Sequence, residues 1–276
     1  MKKYRDPFLW AGITFLFLLV LFAIFGPNLR HNYSDEVALP FRYPSANAWL
    51  GTDEIGRDLF ARLAYGARIS LYIGLTVQVC SLTLGIIIGS LGVYAPKWLA
   101  SPLMRLTDAM FAFPDILLAI LIIAVFGRGT TPVIVALAVT AWPAIARLVR
   151  VQLSSLKDRE FVVASRAMGS STYYTVIKHV LPQLWGILLA VAMVELAATI
   201  LAESTLSFLG IGVQQPTPSW GSMINASRQL MQPGPQYNGS PKMLYLLWPC
   251  LILAMTIFSL NFVGDGLRAI TDPKSK

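Results

Sequence analysis

The chain has 276 residues, of which 55% are hydrophobic and only 13% are charged, and its net charge is +8. A soluble domain usually carries about 25% charged residues. The composition therefore excludes an ordinary soluble globular protein and predicts an all-α protein that crosses a membrane several times. Cys80 and Cys250 both lie in apolar runs, so neither a disulfide framework nor a cysteine metal site is expected.

About six apolar runs are long enough to cross a bilayer, which takes about 20 helical residues. The predicted spans are Phe8–Phe25, Leu71–Tyr94, Ala109–Phe126, Pro132–Val149, Leu184–Ala202 and Met243–Val263. The first run lacks the cleavage pattern of a signal peptide, so we expect an uncleaved anchor. Prolines inside three of the runs are expected to bend them, namely Pro114, Pro143 and Pro249.

The basic residues predict how these spans are oriented. With the N terminus in the cytosol, the inner segments hold fourteen lysines and arginines and the outer segments hold eight. Because positively charged loops tend to stay in the cytosol, both termini are expected to be cytosolic. We predict an anchor helix and an outer loop in residues 1–70, and a core transmembrane unit in residues 71–276 with a cytosolic loop at 158–183.

A polar, basic segment from Glu160 to Pro182 lies between the fourth and fifth apolar runs. No residue from Glu160 to Met168 breaks a helix, and Gly169 permits a sharp turn because it tolerates backbone angles closed to other residues. A second amphipathic stripe follows and is expected to end at Pro182. A helix–glycine–helix element of this kind suits the docking of a partner rather than catalysis.

This segment resembles the "EAA" loop of the permease subunits of bacterial ABC importers. The pattern falls on residues 163–182, and its literal matches are Ala164, Gly169, Leu181 and Pro182. The departures, with His179 in the usual isoleucine place, are those of the dipeptide/oligopeptide/nickel branch. Four further elements resemble the same branch, at Leu50–Asp58, Met104–Pro114, Glu203–Gly221 and Asn261–Pro273.

The resemblance implies the MetI-like fold of binding-protein-dependent transport permeases and a multi-pass protein of the bacterial inner membrane. It also implies a sister permease, two ATPase subunits that carry ATP and magnesium, and an external substrate-binding protein. The chain itself would be no enzyme and would bind no cofactor, and its sequence contains no phosphate-binding loop. The residues expected to couple to an ATPase are Glu160, Ala164, Ala167, Gly169, His179, Leu181 and Pro182.

Acidic residues in the fifth run and directly after it form a second candidate site, because ionisable groups within a membrane span are costly and often functional. Glu195 and Glu203 are eight residues apart, so both could line one side of the helix. The resemblance places Glu203, Ser207 and Trp220 near the outer mouth of a pathway, where water would reach Glu203. A helix-packing role and a proton relay through the two glutamates are the alternatives.

The other signature residues are expected to be structural: Gly51, Asp53, Gly56, Arg57, Asp58, Pro114, Asp265 and Arg268. The glycines predict tight turns, and one of the aspartates is expected to cap the next helix, with a calcium loop as the alternative. Two pairs, Arg105 with Asp108 and Asp265 with Arg268, have the spacing of neighbours on one helix face.

The predicted function is that of a permease subunit in an ATP-driven, binding-protein-dependent importer. The chain would form half of the translocation pathway for di- and oligopeptides and would work by alternating access. Nickel or a nickel chelate is the alternative substrate, although His31 and His179 are the only histidines and direct metal coordination is not expected. The remote alternative is an ion-coupled secondary transporter.

Overall fold

A computed structural model describes residues 6–228 and 242–271, with side chains in the last helix from Tyr245 onward. Within these ranges the chain is helical and contains no β-strand. The predictions that involve Lys2, Lys3, Arg5, Asp272, Pro273, Lys274 and Lys276, and the side chain of Lys242, lie outside the described residues. The helices are α1 Pro7–Phe25, α2 Leu59–Tyr94, α3 Lys97–Met110, α4 Asp115–Phe126, α5 Thr130–Leu156, α6 Glu160–Ala167, α7 Thr172–Thr175, α8 Leu181–Phe208, α9 Trp220–Arg228 and α10 Lys242–Thr271.

Five helical segments of the described chain are long and apolar enough to cross a membrane, and α3 with α4 can form a sixth. The five segments contain α1, α2, α5, α8 and α10. This arrangement confirms the prediction of a multi-pass, all-α protein. The second span begins earlier than predicted, because α2 starts at Leu59 rather than Leu71 and so extends across the predicted boundary at residue 70.

The predicted third span is broken. Helices α3 and α4 are bent by 96° at the four residues between them, and Pro114 is the N-cap of α4. Ala109 therefore belongs to the end of α3, and the 12 residues of α4 reach about 18 Å. The prediction that Pro114 bends this region is confirmed, but α4 alone is shorter than the roughly 30 Å hydrocarbon core of a bilayer.

Helix α2 lies very close to α5 where glycines remove the side chains between them. A β-carbon on Gly85 would lie 2.5 Å from Ile145 Cγ2, and one on Gly89 would lie 2.7 Å from the carbonyl oxygen of Ala146. Close approach at small residues is a common way of packing helices in membranes, where van der Waals contact favours association. The α2–α5 pair is therefore a tightly packed unit at the centre of the fold.

The loop between α1 and α2 is held by a buried group that we call the outer charge cluster, formed by Asp53, Glu54, Arg57, Arg62 and Tyr245. The Asp53 carboxylate accepts from the Arg57 side chain and lies 3.2 Å from Nε of Arg62. The Tyr245 hydroxyl donates to Glu54 at 2.7 Å and so connects the loop to α10. Because the Asp53 carboxylate faces two arginines, the cluster has the character of an internal ion-pair network rather than of a calcium loop.

The turns and the helix cap predicted beside this cluster are confirmed. Gly51 and Gly56 have φ angles of +88° and +89°, in the left-handed region that glycine adopts readily. Asp58 precedes α2, and its side chain accepts from the backbone N–H of Phe60 at 3.0 Å. An aspartate at this position satisfies one of the unpaired donors at a helix start.

Candidate functional site: an exposed knob and an acidic cavity

The segment from Glu160 to Pro182, which we call the knob, begins with the predicted helix–glycine–helix geometry. Helix α6 ends at Ala167, and Gly169 follows with a φ angle of +86°. A β-carbon added to Gly169 would meet no atom within 4 Å. Glycine is therefore favoured here by the backbone conformation and not by a lack of space.

The second half of the knob differs from the prediction. The Ser171 hydroxyl caps the short helix α7 by accepting from Tyr174 N–H at 3.2 Å, and a π-helical turn covers Val176–Val180. Pro182 does not end a helix, because it lies in the first turn of α8, directly after the π-helical turn. The knob therefore runs into α8 without a break.

The buried face of the knob packs on the ends of α5 and α8. Val162 and Val180 are fully buried in one hydrophobic cluster with Leu153 of α5 and Leu184 of α8. The hydroxyls of Ser165 and Thr175 lie 3.1 Å apart and join the two halves of the knob. Buried contacts therefore fix the knob to the ends of these two helices.

The exposed face of the knob, which points away from α5 and α8, presents apolar and aromatic side chains. Met168 is 80% exposed, Tyr173 is 76% exposed and Val163 is 55% exposed. A group of exposed apolar residues is typical of a surface that binds another protein. Of the residues predicted to couple, the exposed ones are Glu160, Ala164, Ala167, Gly169 and Pro182, and the half-buried ones are His179 and Leu181.

A cavity of about 260 Å³ lies between the start of α4, the middle of α5 and the middle of α8. Its polar lining includes Asp115, Glu195 and Thr199, and its apolar lining includes Phe111 and Leu137. The sequence prediction identified Glu195 but missed Asp115. The available signal was that Asp115 directly follows Pro114, the residue expected to bend the third span.

Glu203 does not share this cavity and is fully buried at the contact of α2 with α8. Its carboxylate accepts hydrogen bonds from Ser207 at 2.8 Å, Ser70 at 3.2 Å and Ser204 at 3.4 Å. The expectation that water reaches Glu203 is therefore wrong, because the side chain of Ser70 and its neighbours enclose it. The structure supports a packing role for this glutamate.

Two other residues predicted near the outer mouth are also buried. Trp220 is 0% exposed, and its ring lies 3.4 Å from where a β-carbon on Gly66 would be. Ser207 is 1% exposed, and its hydroxyl donates a hydrogen bond to the Glu203 carboxylate and accepts one from the N–H of Val213. Contact of these side chains with a translocation pathway stays a prediction.

The two predicted ion pairs on single helix faces are absent from the described residues. Asp108 instead accepts from Nη2 of Arg147 at 2.9 Å, and the Arg147 guanidinium lies 3.9 Å from the Phe111 ring. An arginine on α5 therefore contacts both the last turns of α3 and the first residue after it. Asp265 and Arg268 are exposed on α10 and form no ion pair with each other within this part of the chain.

Comparison with known proteins identifies the family. Residues 81–276 match the family described as "Binding-protein-dependent transport system inner membrane component". The chain belongs to this family. It is therefore a multi-pass protein of the inner membrane and a transporter component rather than an enzyme. The matched range includes the knob and the cavity and excludes α1, the outer loop and the beginning of α2.

Curated relatives of this permease align with it over nearly its whole length. It is 36% identical to the oligopeptide transport system permease protein OppC of Bacillus subtilis, over 99% of this chain and 88% of the relative. It is also 36% identical to the dipeptide transport system permease protein DppC of the same organism, over 98% and 83% of the two chains. The glutathione transport system permease protein GsiD of Escherichia coli O157:H7 is 37% identical, over 99% and 88%.

A solved structure supports the fold predicted for the permease. A chain of the MetNI methionine ABC transporter, in an inward facing conformation, superposes with a TM-score of 0.59 and 22% identity. The alignment covers 76% of this chain and 97% of that chain. The MetI-like fold prediction is thus confirmed, while this distant likeness carries information on the fold alone.

Proposed function

We propose that this permease forms half of the translocation pathway of an ATP-driven importer of di- and oligopeptides. The observation that carries the proposal is the knob, which exposes Met168 and Tyr173 while its buried face is fixed to α5 and α8. The substrate class is supported by the names of three relatives, which refer to oligopeptide, dipeptide and glutathione transport. Glutathione is itself a short peptide, so the three names share one class of substrate.

The proposed mechanism is alternating access driven from outside the chain. An ATPase subunit would receive the knob in a groove, with ATP and magnesium bound on the ATPase and not on this chain. Closure of two ATPase subunits would displace the knob and with it the ends of α5 and α8. Because both helices border the cavity, the displacement would change its access from one side of the membrane to the other.

Further partners complete the proposed importer. A sister permease would supply the other half of the pathway, and an external binding protein would deliver the peptide to the outer face. In importers of this kind the binding protein largely sets the selectivity, so peptide length would be decided by that chain. The predicted division into an anchor with an outer loop, residues 1–70, and a transport core, residues 71–276, remains part of this proposal.

The alternative functions have less support. An ion-coupled transporter that uses a relay would need Glu195 and Glu203 to communicate, but Glu203 is enclosed by serines while Glu195 lines the cavity. The nickel alternative receives no support from the names of the relatives described above. Peptide import is therefore the function that the site and the relatives favour together.

The first test is uptake in a strain that lacks this chain and is complemented with it, comparing a labelled dipeptide with nickel ion. We expect complementation to restore peptide uptake that requires ATP and withstands an ionophore. Restored nickel uptake with unchanged peptide uptake would move the chain to the metal subgroup. Peptide uptake that collapses with the ionophore while ATP stays high would contradict the ATP-driven mechanism.

A further inference from the structure

The cavity between α4, α5 and α8 contains two carboxylates that have no counter-charge. Both Asp115, which is exposed at the start of α4, and Glu195, which is half-buried on α8, line it. Within residues 6–228 and 242–271, neither carboxylate has an ion-pair or hydrogen-bond partner. Unpaired acids facing a cavity inside a membrane helix bundle typically mark the path of a substrate or an ion.

The position of Glu195 makes its lack of a partner more informative. It is the fifteenth of 28 residues in α8, so it lies about 21 Å along the axis from the start of that helix. A side chain near the end of the helix could reach the polar membrane surface, but one at the middle cannot. Keeping an acid at this depth without a partner is costly, which suggests that a transient cationic group compensates it.

Thr199 provides an independent indication of a ligand. It lies one helical turn beyond Glu195, lines the same cavity and is only 6% exposed. Its hydroxyl has no hydrogen-bond partner among the described residues, unlike that of Thr205, which donates to the carbonyl of Leu201 at 2.8 Å. The side chain is almost wholly buried, yet its hydroxyl forms part of the cavity wall without a protein partner, so it is available to a ligand in the cavity.

The chemistry of the cavity fits a primary ammonium group. An ammonium has a positive charge and three N–H donors, which match two carboxylates and one hydroxyl acceptor. The apolar walls formed by residues such as Met110, Ile116 and Leu137 suit an uncharged side chain beside it. Small-molecule pockets usually start at about 300 Å³, so a cavity of about 260 Å³ suits one end of a peptide better than a long peptide as a whole.

We infer that Asp115, Glu195 and Thr199 form a transient binding site for the α-ammonium group of a peptide as it crosses the membrane. The inference rests on the proposed function, since it gives the transported peptide an orientation. The ammonium end lies between α4 and α8, while the terminal carboxylate is kept away from the two acids by charge repulsion. Displacement of α8 through the knob would change the geometry of this site and release the peptide.

The test uses the complete importer with its binding protein in proteoliposomes, and measures uptake of tritiated L-alanyl-L-alanine together with ATP hydrolysis. We expect Glu195→Gln and Asp115→Asn each to lower uptake about ten- to a hundredfold, the effect of losing a hydrogen bond to a charged group. Thr199→Val should lower it about two- to tenfold, as for a neutral hydrogen bond. ATP hydrolysis stimulated by the binding protein should stay at the wild-type level in all three variants.

Matched controls separate this site from general damage to the helices. Asp35→Asn removes an exposed acid from the outer loop, and Thr205→Val removes a hydroxyl of α8 that already bonds within its own helix. Both should transport like the wild type. Glu195→Lys places a tethered ammonium in the site and should block uptake more completely than Glu195→Gln does.

Several outcomes would overturn the inference. Wild-type uptake by both Glu195→Gln and Asp115→Asn would show that no such site operates, while the proposed function would stand. Loss of uptake together with loss of stimulated ATP hydrolysis would assign the acids a structural role. If wild-type uptake followed external sodium or potassium and Glu195→Gln removed that dependence, the site would belong to an inorganic cation. A wild-type complex that takes up no peptide would instead overturn the proposed function.

Discussion

The outer charge cluster and the knob use opposite chemistry at two places in the same chain. In the outer charge cluster the side chains of Asp53, Arg57 and Arg62 are charged but at most 3% exposed, and they pair with each other. In the knob Met168 and Tyr173 are apolar or aromatic but largely exposed. Buried charges that pair internally hold the chain to itself, whereas exposed apolar groups are available to another chain.

This contrast makes two kinds of defect separable. A change in the outer charge cluster should lower the stability of the chain and affect transport only through loss of folded protein. A change in the knob should leave the folded chain intact and weaken its assembly with a partner. Stability measured on the purified chain and retention of an ATPase subunit during purification therefore report on different regions.

The largest effect is expected from Asp53→Ala. The substitution leaves the buried charge of Arg62 without its carboxylate and leaves Arg57 with Glu54 alone, and breaking a buried ion pair in this way costs about 3–5 kcal/mol. The melting temperature of the chain in detergent should fall strongly and its yield from membranes should drop. Asp35→Asn, an exposed position in the same loop, is the control. An unchanged melting temperature for Asp53→Ala would contradict the structural role of the cluster.

A smaller local effect is expected from Gly169→Val. The φ angle of +86° strains any residue with a β-carbon by about 1–2 kcal/mol, so the turn between α6 and α7 should rearrange. Membrane insertion should stay intact, while retention of the ATPase subunit and peptide uptake should both fall. Gly169→Asn is the matched control, because asparagine tolerates this conformation better and the added atoms have open space. Normal transport by Gly169→Val would remove the basis for docking through the knob.

Tyr245→Phe measures how far the outer charge cluster extends into α10. The change removes the hydrogen bond to Glu54 and keeps the ring, so we expect a loss of about 1 kcal/mol. Glu54 would retain its ion pair with Arg57 at 3.0 Å. Thermal unfolding in detergent is the measurement, and a loss as large as that of Asp53→Ala would mean that the hydroxyl has a greater share in the network than one hydrogen bond.

The smallest effect is expected from Asp108→Asn. Its ion pair with Arg147 is largely exposed, with 66% and 52% of the two side chains accessible. Exposed ion pairs contribute about 0–1 kcal/mol and are weakened by salt. The melting temperature should therefore hardly change, and any change should disappear at high salt. A large loss that persists in salt would show that the bend between α3 and α4 depends on this pair.

Features with a local cause could be predicted from the sequence. An apolar run identifies a membrane span wherever contacts with other helices do not set where that span begins or ends. Gly51 and Gly169 mark turns through their own backbone freedom. Asp58 caps the helix that directly follows it. The helical start of the knob was predicted for the same reason. In each case the signal lies within a few residues of the structure that it specifies.

Features that depend on distant contacts could not be predicted. Glu203 is enclosed by Ser70, which lies 133 residues earlier in the chain. Asp115 and Glu195 meet at a cavity only because of the 96° bend before α4, and hydropathy gives no measure of that angle. The early start of α2 was missed because Arg62, whose charge pairs with Asp53, makes the first turns look too polar for a span.

The glycine contacts between α2 and α5 have a mechanical consequence. Because the carbonyl oxygen of Ala146 lies so close to Gly89, rotation or sliding would bring larger side chains against this backbone, and we expect α2 and α5 to move together as one rigid unit. Helix α2 has 36 residues and is therefore about 54 Å long. If a partner displaces the knob, where α5 ends, we expect the displacement to reach the opposite end of α2, where Asp58 caps the helix beside the outer charge cluster.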